Sequence, residues 1–160
     1  MAVDMFIKID DIKGESVDSK HAGEIQVLSW NWGMTQSGTT HNGPGGGAGQ
    51  VNVQDLTFTK YVDSSTPNLI KFCCSGKHFA QAVLTVRKAG DKPLEYMKLT
   101  LTELIVSSLS TGGGGGQERL TESVSLNFSK FTIDYTPQKA DGSGGAAISA
   151  NWDIAGNMSK

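Results

Sequence analysis

The side chains best suited to covalent or metal chemistry are few. Cys73 and Cys74 are the only cysteines and stand side by side. Ordinary disulfides need Cα separations of about 4.4–6.8 Å, more than the roughly 3.8 Å between successive residues. They are therefore expected as reduced thiols, two small hydrophobes on a helix, with a vicinal redox switch as the alternative. His21, His41 and His78 form no His-x-x-x-His pair, and the nearest approach, Cys74-x-x-x-His78, spans an expected helix end. They are expected in structural or surface roles. Asp10-Asp11 and Glu118…Glu122 are carboxylate pairs expected in loops or at strand edges. No Gly-x-Ser-x-Gly elbow is present for nucleophilic catalysis. The glycine-rich runs Gly43–Gly49 and Gly112–Gly116 lack the Gly-Lys-Ser/Thr ending of a phosphate loop. Gly43-x-Gly45-x-x-Ala48 and Gly142-x-Gly144-x-x-Ala147 match a loose dinucleotide pattern, but no helical periodicity follows either one. No catalytic residue, metal site or cofactor is expected.

Composition narrows the class further. One chain of 160 residues is enough for a single domain, spanning 1–160, and not for two well-filled cores. Its formal charge is −2, and of 14 Lys+Arg only Arg87 and Arg119 are arginine. A nucleic-acid binder would show a basic, Arg-rich excess, so none is expected. The longest strongly apolar runs, such as Leu104-Ile105-Val106, are far too short to insert in a membrane. The N-terminus carries Asp4 and no continuous apolar stretch, unlike a Sec signal peptide.

The elements read mainly as strands. Apolar and β-branched residues alternate with polar ones over Met5–Asp10, Glu24–Trp32, Val51–Lys60, Ala82–Arg87, Leu94–Ser107, Leu120–Tyr135 and Ile148–Ile154. Two of these change parity partway. Ile25 and Val27 give way to Leu28, Trp30 and Trp32, and Val124, Leu126 and Phe128 to Phe131, Ile133 and Tyr135. Because strand period is two, each switch predicts a bulge or a bend onto another sheet. One helix is expected over about Pro67–Ser75, with Thr66 as N-cap, Leu69, Ile70, Cys73 and Cys74 as its apolar stripe, and Gly76 closing it. The fold class is thus mainly β: an antiparallel β-barrel of two sheets with one short flanking α-helix.

Trp30 and Trp32 share one face of their strand and are expected in the core, leaving Asn31 on the other face with Ser29 and Gln26. The same backing of apolar faces by small uncharged residues recurs at Thr57 and Thr59, Thr100 and Thr102, and Ser123 and Ser125. Sheets facing bulk solvent favour Lys and Glu. A smooth polar wall around a shared water-filled space fits this pattern.

The sequence resembles one family throughout: the haemolysin-coregulated proteins (Hcp), tube subunits of bacterial type VI secretion. The resemblance lies in Met5-Phe6-Ile7-Lys8-Ile9 with Lys13-Gly14-Glu15-Ser16, and in His21-Ala22…Glu24-Ile25-x-Val27-Leu28-x-Trp30-x-Trp32-Gly33. It continues through Lys60-Tyr61-Val62-Asp63…Thr66-Pro67-Asn68-Leu69, Ser75-Gly76-Lys77-His78…Leu84-Thr85-Val86-Arg87-Lys88-Ala89-Gly90, Leu120-Thr121-Glu122-Ser123-Val124-x-Leu126-Asn127-Phe128 and Tyr135-x-Pro137-Gln138-Lys139.

The resemblance implies a β-barrel with a flanking helix, assembled with itself into homohexameric rings that stack into a hollow tube. A contractile sheath drives the tube, tipped by a VgrG-type spike, out of the cell, and small effector proteins ride in the lumen. Such a protein is made in the bacterial cytoplasm and reaches the medium or a target cell without a Sec signal, and no appended toxin domain is expected. Asn31 and Ser29 are then expected to face the lumen and its effectors. The long loop Gln36–Gly49 resembles the family's extended loop. Its Thr39, Thr40, His41, Asn42, Gly43, Gly45, Gly46 and Gly47 are expected to serve ring or tube assembly, loose in a free subunit and ordered by a neighbouring subunit or ring. The alternatives are a stand-alone small-ligand-binding β-barrel and a hydrolase with a site the motifs do not reveal.

Overall fold

The computed structural model of the chain describes residues 2–38, 41, 43, 44 and 47–159. Its elements in chain order are β1 (Val3–Ile9), β2 (Ile25–Gln26), β3 (Ser29–Asn31), β4 (Met34–Thr35), β5 (Asn52–Val53), β6 (Leu56–Tyr61), α1 (Thr66–Ser75), β7 (Phe79–Lys88), β8 (Leu94–Thr111), β9 (Thr121–Tyr135) and β10 (Ile148–Asp153). The fold is mainly β and antiparallel in two sheets, as expected: a curled one in the order β2-β1-β7-β8-β9-β6-β3, with β10 added to β9, and a small second sheet of β4 and β5.

Both parity switches are real turning points. The expected strand Glu24–Trp32 is divided: β2 pairs with β1, and β3 pairs with β6 at the other end of the sheet. The residues between, Val27 and Leu28, carry the chain from one end to the other, which curls the sheet upon itself. The second switch is shared by two strands. On β9 the buried set passes from Val124, Leu126 and Phe128 to Phe131, and on the facing β8 it passes from Leu99 and Leu101 to Leu104 and Val106. Glu103 lies at this crossover with φ 54, and Ser129 opposite donates its hydroxyl to the Thr102 carbonyl at 3.2 Å. A left-handed residue turns both strands without breaking their pairing on either side. A register shift between Val106 and Ser108 bends the same ribbon again.

The helix starts one residue earlier than expected, and its face is rotated. Ser65 is the N-cap, but its hydroxyl bonds the Asp63 carboxylate at 2.5 Å and makes no cap bond to the helix. Thr66 is the first helical residue, and its hydroxyl donates at 2.6 Å to Glu122 of β9. With Thr66 tethered there, Leu69, Phe72 and Cys73 turn toward the core, while Ile70 and Cys74 face outward. The expected Ile70 and Cys74 half of the stripe is therefore not buried. Phe72 meets Phe79 edge-on, with centroids 5.4 Å apart. Gly76 ends the helix at φ 68, its N–H donating to Phe72.

The interior is filled by Ile7, Ile25, Leu56, Phe58, Leu69, Leu99, Leu104, Val124 and Leu126, all with no exposed area. Trp30 and Trp32 are only half-buried, packing against this core from its margin. Trp32 packs on Phe128 and Phe131, where β9 changes its buried face, and Trp30 lies on β3, the end strand of the sheet.

A polar clasp holds the segment after β1 against the sheet. Arg87 on β7 donates to Asp18 and Asp4, at 2.5 Å and 3.1 Å, and its guanidinium lies 5.2 Å from the Phe6 ring centre. His21 stacks on Phe6 at 4.6 Å and sits between Glu24 (2.8 Å) and Glu95 (2.6 Å). This buried histidine has a structural role; His41 and His78 are exposed. The Arg87 hydrogen bond, with its charge, holds the Asp18 carboxyl well below the usual aspartate range and the guanidinium well above its own.

Candidate functional site

The small polar residues of β3, β6, β9 and β8 come together as one surface. Register places Ser29 beside Thr59, Thr59 beside Ser123, and Ser123 beside Ser110. One step along, Asn31 lies beside Thr57, Thr57 beside Ser125, and Ser125 beside Ser108. Two rows of uncharged side chains thus cross four strands, backed by the core residues Phe58, Val124 and Leu126. Within the rows Ser29 Oγ and Thr59 Oγ1 share a hydrogen bond of 2.5 Å, and Thr57 Oγ1 and Ser125 Oγ one of 2.9 Å. Hydroxyls that bond one another and water offer an incoming molecule no fixed charge.

Charge enters only at the margins of the rows. At one end Asp55 accepts hydrogen bonds from Ser107 (2.7 Å) and Asn127 (2.8 Å). At the other, the Arg119 guanidinium lies over the Tyr61 ring at 3.7 Å. Ser29 and Asn31 are exposed on β3, the last strand of this surface. Gln26 lies across the Val27–Leu28 junction and lines a small cleft with Tyr61 and Arg119. Thr100 and Thr102 do not join the surface. They lie beyond the Glu103 crossover, paired with Thr132 and Lys130 next to the Lys98 and Asp134 pair.

Among the described residues, β3 pairs with a strand on one side only, and β8 beyond Leu104 pairs only with β9. Both lateral ends of the polar surface therefore lack a further strand.

The long loop runs from β4 to β5. A bridge between Gly38 and Ala48 and the Gly49 N–H donated to Ser37 at 3.1 Å close its base. His41, Gly43 and Gly47 are exposed, and Gly43 adopts φ 89. Thr39, Thr40, Asn42, Gly45 and Gly46 lie outside the described residues. Below the loop, Trp32, Met34, Val51, Val53, Phe131 and Trp152 line an apolar cleft of about 480 Å³.

A buried ionic cluster that no motif in the sequence announces lies beneath the polar surface. Glu122, expected at a loop or strand edge, is fully buried between β6 and β8. Its Oε1 accepts from Lys60 Nζ and from the Thr66 hydroxyl. Lys60, equally buried, also lies 3.0 Å from Asp63 Oδ1. The signal was available: Lys60 follows Leu56 and Phe58 at the apolar parity, as Glu122 precedes Val124 and Leu126. Among the described residues no three His, Cys, Asp or Glu side chains are grouped to hold a metal ion, and no helix is long and apolar enough to cross a membrane.

Comparison with known proteins points the same way. Residues 6–135 match the family model described as type VI secretion system effector, Hcp. Protein hcp1 of Pseudomonas aeruginosa is 61% identical over 160 residues, covering 99% of both chains. The crystal structure of Hcp1 from Salmonella typhimurium superposes with a TM-score of 0.84 at 44% identity over 100% of both chains. A type VI secretion system effector from Yersinia pestis gives 0.78 at 38% identity, over 94% of this chain and 100% of that one. Sequence and fold agree, and the chain belongs to the Hcp family of type VI secretion proteins.

Proposed function

We propose that the chain is the repeating subunit of a type VI secretion tube, forming homohexameric rings that stack around a water-filled lumen. The observation that carries this reading is the two-row uncharged surface across β3, β6, β9 and β8, ending on both sides without a further strand. A ring needs one patch to meet a different patch on its neighbour with a rotation that closes. Two unlike strand ends on one surface supply such a pair. The wall would continue from subunit to subunit, with Ser29 and Asn31 facing small effector proteins in transit. Surface hydroxyls keep such cargo hydrated without gripping it.

In this reading the loop carrying Thr39, Thr40, His41, Asn42, Gly43, Gly45, Gly46 and Gly47 reaches the next ring. The tube works with a VgrG-type spike and a contractile sheath, and leaves the bacterial cytoplasm for the medium or a target cell. The protein acts by assembly, not as an enzyme. A stand-alone ligand-binding barrel fits less well, because the interior is occupied by large side chains such as Phe58 and Leu126. Light scattering on a sizing column, with negative-stain imaging of the same peak, tests the proposal. A mass near six times 17.0 kDa with annular particles is expected. A monomer persisting at high concentration would overturn it.

A further inference from the structure

We infer that Lys60 and Glu122 are positioning residues that set the register of β6 against β9, and with it the alignment of the hydroxyl rows. The inner faces pair Leu56 with Leu126, Phe58 with Val124 and Lys60 with Glu122. Sliding β6 by two residues would set Leu56 opposite Phe128 and Phe58 opposite Leu126, still apolar on apolar. On the outer face the same slide sets Thr57 against Asn127 and Thr59 against Ser125, still polar on polar. Neither face rejects the slip, and no tight turn joins these strands, since α1, β7 and β8 lie between them.

The charged pair does reject it. After the slip Lys60 would face Val124 and Glu122 would face Val62, each charge stranded in a dry interior. The cluster also spans the corner it must hold: Glu122 Oε1 takes both Lys60 and Thr66, the first residue of α1, while Lys60 reaches Asp63 in the intervening turn. Glu122 Oε2 is buried with no partner. An apolar pair would fill that space at lower cost, so specificity of pairing accounts for the charges better than stability does.

The consequence for a lumen wall rests on the tube reading, whereas the register can be read without it. Val62 donates its N–H to Leu120, which makes Lys60 and Glu122 a hydrogen-bonded pair and Thr59 and Ser123 a non-bonded pair with close side chains. In a Cys73→Ala/Cys74→Ser background, Thr59→Cys with Ser123→Cys reports the native register. Thr59→Cys with Ser125→Cys reports the slip, because diagonal positions are too far apart to bridge in the native pairing.

With Lys60 and Glu122 present, only the native reporter should oxidise on mild treatment. In Lys60→Met/Glu122→Leu the slipped reporter should oxidise to a comparable extent, while the urea midpoint is unchanged or higher. The inference is overturned if the slipped reporter stays reduced in that folded variant. It is also overturned if the variant fails to fold, since the pair would then serve stability. Particle mass measured in parallel keeps failure of the tube reading separate from this result.

Discussion

Val27 donates its backbone N–H to Met5 at 2.9 Å, and the next residue, Leu28, donates to Thr59 at 2.8 Å. Two adjacent amides thus bond to strands at opposite ends of the sheet order, β1 and β6. The chain crosses between the two ends of the sheet at one peptide unit, while β8 and β9 bend further at Glu103 and at the register shift between Val106 and Ser108. Replacing Leu28 by Pro removes one of the two donors and leaves the Thr59 carbonyl short of its partner. A loss of about 1–3 kcal/mol is expected from urea unfolding. Hydrogen exchange should quicken at β3 before β1, and an unchanged midpoint would mean that side-chain packing alone holds the closure.

The clasp at Arg87 gives a pH signature. Asp18 is held well below the 3.8 of an ordinary aspartate, chiefly by its hydrogen bond from Arg87. A depressed folded-state value means a contribution fully present above the unfolded value and lost as pH falls toward the folded one. Asp18→Asn should therefore be less stable than the native chain at neutral pH, with the gap closing only in strongly acid solution. The raised Arg87 value keeps its charge through that whole range. Urea midpoints of the two proteins that stay parallel into acid would show that Asp18 is not the group responsible.

Asn31 separates cargo contact from assembly. It lies exposed on β3 next to Thr57, in a row without charge. Asn31→Arg introduces a fixed charge there, and Asn31→Gln only length. Both should leave the particle mass unchanged and alter the amount of effector recovered with the particles, the arginine more strongly. Collapse of the particles to monomers would place Asn31 at a subunit boundary instead.

The loop between β4 and β5 can be shortened without reaching the core. Deleting Gly43–Gly49 removes the bridge at Gly38 and Ala48 but spares the pairing of Met34 with Val53. The thermal midpoint should stay close to that of the native chain, while stacking into tubes, seen by electron microscopy, should be lost. Tubes forming at native length would refute a role for the loop in stacking.

Gly14 marks a close approach in the clasped segment. A Cβ there would stand 2.5 Å from the backbone oxygen of Glu24, and the Gly14 N–H donates to Gly23 at 2.8 Å. Gly14→Ala should lower the midpoint by an amount typical of overpacking, about 1–3 kcal/mol in urea. Gly112→Ala, where nothing lies within 4 Å, is the matched control and should be nearly silent.

Strand content, the helix with its end at Gly76, the parity switches and the family were all legible in the residues, because alternation, a closing glycine and local motifs act over a few neighbours. The small polar faces of β3, β6 and β9 were legible for the same reason. Which of them share a surface was not. Thr57 and Ser125 meet because β6 and β9 pair across 68 positions of chain, and Thr100 is excluded because Glu103 turns β8 before it arrives. The rotation of α1 was likewise hidden, since Thr66 is held by a carboxylate from β9 and not by the helix's own cap. Local periodicity determined what each strand presents. The long-range pairings, and the buried charges that hold them in register, decided which presentations stand side by side.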